Sequence, residues 1–326
     1  MTLAFLFPGQ GSQRVGMGLD LYENSSFGKE LFIKVDSISG RNISNIIFKG
    51  PEAELNQTKN TQISISIISV ILSHLLKEEL LKRNLVLEPS GCAGHSLGEF
   101  TALWYGDILS LDDLIKLVLE RGELMQTATS GGMAAILNAE KEKIEELLNK
   151  DEYKDNLIIA NYNSPFQHVI SGKKELIEKF TSDIKLINGK SIILPVSGAF
   201  HSSLMKEPAK IFSLEIEKLL NLPSKNAKIP IYQNSDGLPS QDYKTILGKL
   251  QKQMTSPVLW TQIINNLVKD GVKAFIEIGP GKVLTGLVKK INPNTECYNI
   301  FDLVSLKEFC EIYAGKLPQT KAFKTS

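Results

Sequence analysis

Gly94-His95-Ser96-Leu97-Gly98-Glu99 reads G-x-S-x-G, the pattern of a sharp strand-to-helix turn that lifts a serine hydroxyl clear of its neighbours. Such a turn has no room for side chains on its flanks, so glycine stands at 94 and 98. It also leaves main-chain N–H groups free beside the serine. After the turn, Phe100, Leu103 and Trp104 give an amphipathic face to a helix. Before it, Pro89-Ser90-Gly91 leaves only Cys92-Ala93 for a strand. Taken alone, the pattern fits a structural turn as well as a catalytic serine. The remaining chain must supply an alternating strand–helix frame and a base.

Upstream, residues 3–7 are a continuous apolar run, as in a buried parallel strand. The run ends in Pro8-Gly9-Gln10-Gly11-Ser12-Gln13, a loop able to present N–H groups. The lysine and spacing of a phosphate loop are missing. Helices are expected near 26–37 and 52–55. Residues 63–83 are rich in isoleucine, yet their tail has helical spacing, and the segment reads as one long helix. Residues 111–127 form a further helix, with Leu114, Leu117, Val118, Arg121 and Met125 close to one side.

Beyond Gly131 the rhythm changes. Strand 133–137, helix 141–149 and strand 157–161 lead to a turn at Asn163-Ser164-Pro165. Strand 168–171, helix 174–182 and strand 191–196 complete the β-α-β-β-α-β order of a ferredoxin-like unit. It is an insertion of about 70 residues, adequate for a small domain. The earlier alternation then resumes. Helix 208–220 precedes strand 229–233, which Pro230 places at a sheet edge or a strand start. Helices 243–254 and 261–270, strand 274–278 and a helix through Ile291 follow. This order implies an α/β domain with a mainly parallel sheet. A short helix is expected from Leu303, and a loose tail from Gly315 with Lys316, Lys321 and Lys324.

The 326 residues are 42% hydrophobic and 22% charged, with a net charge of +1. That is ordinary for a globular protein, and no overall field points to nucleic acid or membrane. The richest apolar run, 63–76, is too short and too polar to span a bilayer. Three scattered cysteines, Cys92, Cys297 and Cys310, make neither a disulfide framework nor a zinc site and suit a reducing, cytoplasmic compartment. The apolar start lacks a basic region and reads as a first strand, not a signal peptide.

A serine needs a base, and the chain has four histidines. His74 lies on an amphipathic helix and His168 in the small unit's hairpin, where structural roles are expected. His95 adjoins Ser96, so its side chain leaves the turn in another direction. His201 follows Gly198-Ala199-Phe200 at the re-entry into the large domain, a junction where clefts form. It is the base by elimination. No acidic residue stands out to orient it. Asp236, Asp242 and Glu277 are candidates with nothing to single them out, and a main-chain carbonyl is the alternative. Arginine is scarce, with only Arg14, Arg41, Arg83 and Arg121. Arg121 fits either a surface ion pair with Asp113, Glu120 or Glu123, or a carboxylate clamp in the cleft.

Several stretches together resemble one family. They are Phe7-Pro8-Gly9-Gln10-Gly11-Ser12-Gln13, the Ser96 turn, and Arg121-Gly122 with Met125-Gln126 and Gly132-Met133-Ala134-Ala135-Ile136. Asn161-Tyr162-Asn163-Ser164-Pro165, Gly198-Ala199-Phe200-His201-Ser202, and Gln253 with Pro257-Val258 and Trp260 continue the series. Glu277-Ile278-Gly279-Pro280-Gly281-Lys282-Val283-Leu284 completes it. The chain resembles the malonyl-CoA:acyl-carrier-protein transacylases from about Leu3 to about Ile291. Pro89 and Trp104-Tyr105 depart from the pattern.

The resemblance implies a hydrolase-like α/β large domain, residues 1–130 and 198–302, with a ferredoxin-like small domain, 131–197, inserted. Residues 303–326 would be a C-terminal extension. It implies Ser96 as nucleophile, His201 as base, and the N–H groups of Gln10 and Leu97 as the oxyanion hole. Gln253 would orient the histidine through its main-chain carbonyl. Arg121 would bind the malonyl carboxylate, with Phe200, Met125 and Asn161 also at the substrate. Malonyl-CoA and an acyl carrier protein bearing phosphopantetheine are the implied substrate and partner, serving fatty-acid or polyketide synthesis. No metal, redox cofactor, nucleic acid or membrane is implied. A proofreading acyl hydrolase on the same scaffold is the competing expectation, and a non-catalytic carrier-binding relic a third.

Overall fold

The structure is a computed structural model that describes residues 2–129, 131–196, 198–223 and 225–316. Two separate sheets organise it. The strands in chain order are β1 (Leu3–Phe7), β2 (Gly91–Gly94), β3 (Gly132–Leu137), β4 (Leu157–Ser164) and β5 (Gln167–Gly172). They continue as β6 (Lys190–Ile193), β7 (Ile231–Tyr232), β8 (Pro239–Ser240), β9 (Ala274–Ile278) and β10 (Glu296–Ile300). The larger sheet has the order β10-β9-β1-β2-β7-β8. All its pairings are parallel except β7 with the edge strand β8. β1 and β9, at its centre, are buried at every residue, as apolar runs in a covered parallel sheet should be. The α/β, hydrolase-like class is as expected.

The isoleucine-rich segment is one helix, Thr58–Lys82. It is buried on nearly every side, so the weak helix preference of β-branched residues is overridden by packing. Its buried Ser64 and Ser73 hydroxyls donate to the carbonyls of Asn60 and Ser69, 2.6 and 2.7 Å away. The helix packs against Leu111–Thr127, whose bounds match the expectation and whose start is a Ser110–Asp113 capping box. No helix of the described residues is long and apolar enough to cross a membrane.

The smaller sheet, β4-β5-β3-β6, is antiparallel throughout and has the ferredoxin-like strand order. Alternation along β3 sends Ala134 and Ile136 toward helices Lys141–Leu148 and Lys174–Leu186, and Met133 and Ala135 toward the cleft between the sheets. In β4 a bulge at Ala160 switches the faces. Leu157 and Ile159 pack under the helices, while Asn161 and Asn163 point into the cleft between the sheets. Two main-chain bonds tie this point to Val258, just ahead of helix Trp260–Lys269: Tyr162 N–H to Val258 O (2.9 Å) and Val258 N–H to Ala160 O (2.8 Å).

Several expected bounds shift. Asn163 and Ser164 belong to β4, because the ladder runs on to a Ser164–Gln167 pair and the turn is Pro165-Phe166. The final small-sheet strand is Lys190–Ile193, not 191–196. Strand 229–233 shortens to β7, with Pro230 just before its start. The helix expected over 243–254 ends at Leu250, and a 3-10 turn, Gln253–Thr255, follows. Helices Leu19–Asn24 and Ile43–Lys49 and strands β8 and β10 were not anticipated. The first helix and β8 are too short to show periodicity, and β10 is a half-exposed edge without an apolar run. Helix Leu303–Lys316 includes Gly315 and packs on Thr58–Lys82 and β10, so the tail does not begin at Gly315. The lysines at 321 and 324 lie outside the described residues.

Candidate active site

Close approach at the C-terminal ends of β1 and β2 builds the site. A Cβ at Gly94 would lie 1.9 Å from the Gly98 carbonyl carbon, and one at Gly98 would lie 2.0 Å from Phe7 O. Only glycine permits this contact, and it brings the Gln10 loop beside Ser96. Ser96 has φ +49°, a left-handed conformation that costs roughly 1–2 kcal/mol in a non-glycine residue. Both its main-chain groups are held. Ser96 N–H donates to Asn234 Oδ1 at 2.6 Å, and Ser96 O accepts from Gln253 Nε2 at 2.8 Å. Among the described residues neither the Gln10 nor the Leu97 N–H is taken by a protein acceptor.

His201 Nε2 stands 2.7 Å from Ser96 Oγ. Its Nδ1 faces two main-chain carbonyls, Gln253 O at 3.0 Å and Ser256 O at 3.1 Å. Two acceptors there place the proton on Nδ1 and leave the Nε2 lone pair facing the serine. The carbonyls are available because the helix stops at Leu250 and the 3-10 turn aims them inward. Burial and the nearby Arg121 charge pull the His201 pKa down to about 3, so the ring is neutral and able to accept a proton. The acidic candidates lie elsewhere. Asp236 pairs with Lys249 (2.7 Å), Asp242 caps helix Tyr243–Leu250, and Glu277 accepts from the N–H groups of Leu284 and Thr285.

The other histidines have structural partners. His74 stacks on Phe27, with ring centroids 3.8 Å apart. His168 is buried against Tyr162. His95 pairs through Nε2 with Asn163 Oδ1 at 2.8 Å and meets the Trp260 ring edge-on.

Arg121 is in the cleft and not in a surface ion pair. It is 1% exposed, and Glu123 pairs instead with Arg41 and Lys59. Its guanidinium donates from Nη1 to Gln62 Oε1 (2.7 Å) and from Nη2 to Ser96 Oγ and Gln253 Oε1 (3.1 Å each). It also lies over the Phe100 ring. Burial lowers its pKa to about 10, and the Glu99 charge opposes the shift, so the cation persists at neutral pH. Its Nε–H has no acceptor among the described residues.

A cleft of about 320 Å³ joins these groups. Gln10, Leu97, Met125, Asn161 and Phe200 line it together with Ser96, Arg121 and His201. Every residue expected at the site from the sequence therefore lines the cleft, apart from Gln253, which lies behind His201. A larger cavity, about 670 Å³, lies at the N-terminal ends of β2 and β7 and is lined by Trp104, Tyr105 and Leu87. Ser73 and His74 line it but are not paired with each other: Ser73 Oγ donates to Ser69 O, and His74 Nε2 faces Glu78.

Sequence reasoning missed Gln62, Asn234, Ser256 and the role of Glu99 as a partner. Gln62, a long polar side chain at the head of an apolar run, was the one with a visible signal. Among the described residues no group of three or more His, Cys, Asp or Glu is placed to hold a metal.

Comparison with known proteins agrees with this geometry. The family described as "Acyl transferase domain" matches residues 4–298. The malonyl CoA-acyl carrier protein transacylase of Bacillus subtilis (strain 168) is 39% identical over 307 residues, 92% of this chain and 93% of the relative. The crystal structure of the Synechocystis sp. PCC 6803 malonyl-CoA:ACP transacylase superposes with a TM-score of 0.86 at 35% identity, covering 94% of this chain and all of that one. A malonyl-transacylase solved in complex with its type II PKS acyl-carrier protein superposes with a TM-score of 0.89 at 32% identity, covering 96% and 100%. The chain belongs to the acyl transferase domain family, and within it to the malonyl-CoA:acyl-carrier-protein transacylases.

Proposed function

We propose that this protein moves the malonyl group of malonyl-CoA to the phosphopantetheine thiol of an acyl carrier protein, by way of a malonyl ester on Ser96. The observation that carries the reading is a buried guanidinium 3.1 Å from a serine that also meets a neutral imidazole. His201 Nε2 takes the Ser96 proton as Oγ attacks the thioester carbon. The Gln10 and Leu97 N–H groups receive the tetrahedral oxyanion, each worth roughly 3 kcal/mol of barrier. The C–S bond breaks and the coenzyme A sulfur takes the proton from His201. The carrier thiol then repeats the steps in reverse. Only protons and an acyl group move, so the chemistry calls for no metal or redox cofactor. Met125, Phe200 and Asn161 would shape the acyl site.

The two separate sheets support a division into 1–130 with 198–302 and an inserted 131–197. Helix Leu303–Lys316 packs on the first of these. The three free cysteines suit a reducing compartment such as the cytoplasm.

Arg121→Ala tests the reading. A malonyl carboxylate must leave water to enter the cleft, and an unpaired charge there is costly. Removing one partner of such a pair costs about 2–5 kcal/mol, tens- to thousands-fold in malonyl transfer. Acetyl transfer, with no carboxylate, should be spared or improved. The measurement is kcat/KM for malonyl-CoA and acetyl-CoA with one carrier protein. An unchanged ratio favours the acyl hydrolase, which has no use for a carboxylate clamp.

The base carries its own pH signature. Only neutral imidazole accepts the serine proton, and the His201 pKa lies below the ordinary 6.5. As pH falls through that value, the buried ring stays neutral. Acylation kcat/KM should therefore hold within about twofold from about pH 8 to 5.5. A drop centred near 6.5 would mean a solvated imidazole.

A further inference from the structure

The Glu99 carboxylate sits behind the site, in the first turn of helix Gly98–Tyr105, and is 1% exposed. Oε1 accepts from Gln233 Nε2 at 3.1 Å. Oε2 accepts from Asn234 N–H at 3.0 Å and from Gln253 Nε2 at 3.2 Å. Burial pushes its pKa up, while these donors and Arg121 pull it back. All three of its hydrogen-bond partners are donors, as an ionised carboxylate requires. The geometry therefore fits the carboxylate.

Each Oε2 donor leads to a reacting group. Asn234 accepts the Ser96 N–H through Oδ1 and donates to Gly94 O through Nδ2 (2.7 Å), so it pins both sides of the nucleophile turn. The Gln253 amide is oriented by what lies at its two ends. Its nitrogen faces Glu99 Oε2 and Ser96 O, and its oxygen faces Arg121 Nη2. The main-chain oxygen of the same residue accepts from His201. Turning the amide over would set its NH2 against the guanidinium and its oxygen against the carboxylate.

We propose that Glu99 is a positioning residue that sets the nucleophile turn through Asn234 and the arginine through the side chain of Gln253. This rests on the roles given above to Ser96, His201 and Arg121. Glu99 touches no reacting atom. It acts by fixing one orientation of the Gln253 amide, and with it the placement of the Arg121 guanidinium.

The test uses the full-length enzyme, with active sites counted by stoichiometric malonyl loading. Single-turnover acylation by malonyl-CoA and acetyl-CoA is compared for wild type, Glu99→Leu, Glu99→Gln and Gln253→Met. Displacement of reacting groups by a fraction of an ångström to about 1 Å costs roughly ten- to a hundredfold. Glu99→Leu should lose that much malonyl acylation per active site, with a smaller loss for acetyl, so the malonyl-to-acetyl ratio falls. Glu99→Gln should recover part of the loss, because one amide oxygen can still accept from both Asn234 and Gln253. Gln253→Met keeps the carbonyl that holds His201 but removes the amide, and should lower the ratio about tenfold. If Glu99→Leu does not fold, Glu99→Gln decides the matter, through a fall of the same ratio that is partial and smaller than in Gln253→Met. Rates per active site and ratios that match wild type in these variants would make Glu99 purely structural and overturn the proposal. If Arg121→Ala itself leaves the ratio unchanged, the reading of the site falls first. If Arg121→Ala shifts it and these variants do not, only the role of Glu99 falls.

Discussion

Ser96→Ala takes up no malonyl group from malonyl-CoA, while wild type gains one malonyl mass per chain. Ser96 Oγ is the hydroxyl that meets both the His201 lone pair and the Arg121 guanidinium. No other cleft-lining hydroxyl is paired with a histidine among the described residues. Ser12, the other serine lining the cleft, has no such partner. The variant keeps the fold, because Asn234 and Gln253 grip the main chain of residue 96 and not its hydroxyl. Alanine suffers the left-handed φ about as serine does, so unfolding should remain cooperative at nearly the same temperature. Intact mass after mixing with malonyl-CoA reads the first expectation, and thermal unfolding the second. An adduct that persists in Ser96→Ala would place the nucleophile elsewhere.

His201→Ala loses roughly 10³–10⁴-fold in single-turnover acylation, because a serine hydroxyl with no base stays protonated at neutral pH. The loss should fall on the chemical step, with binding of malonyl-CoA little changed, since the Nε2 of the imidazole faces the serine hydroxyl. Removing the ring takes away the single Nδ1–H that the Gln253 and Ser256 carbonyls share, at about 1 kcal/mol of stability, while Gln253 O keeps the Ser256 N–H. The two effects separate when rates are normalised to folded enzyme. His95→Ala is the control. Its ring is held by Asn163, so its removal should cost far less. Equal losses in the two variants would give His95 a share of the base.

Much of this molecule is legible in local chemistry. The glycines at 94 and 98, the apolar runs of β1 and β9 and the strand–helix alternation depend on neighbours close in sequence. They declared the turn at Ser96, the α/β frame and the ferredoxin-like unit. Scarcity did further work: with four histidines and four arginines, elimination reached His201 and reduced Arg121 to two readings. A pattern reports which face of an element is buried, but not what it is buried against. The buried placement of Arg121 depends on Gln62 and Gln253, 59 and 132 residues away along the chain. The histidine is oriented by carbonyls 52 and 55 residues distant, and any residue can offer a carbonyl, so composition holds no trace of them. The bulge that turns Asn161 and Asn163 into the cleft belongs to the β4–β5 pairing and not to β4 alone. Glu99 stood in the opening motif throughout. Its three donors come from residues 233, 234 and 253, which only the folded chain brings to it, and there the tertiary structure alone decided.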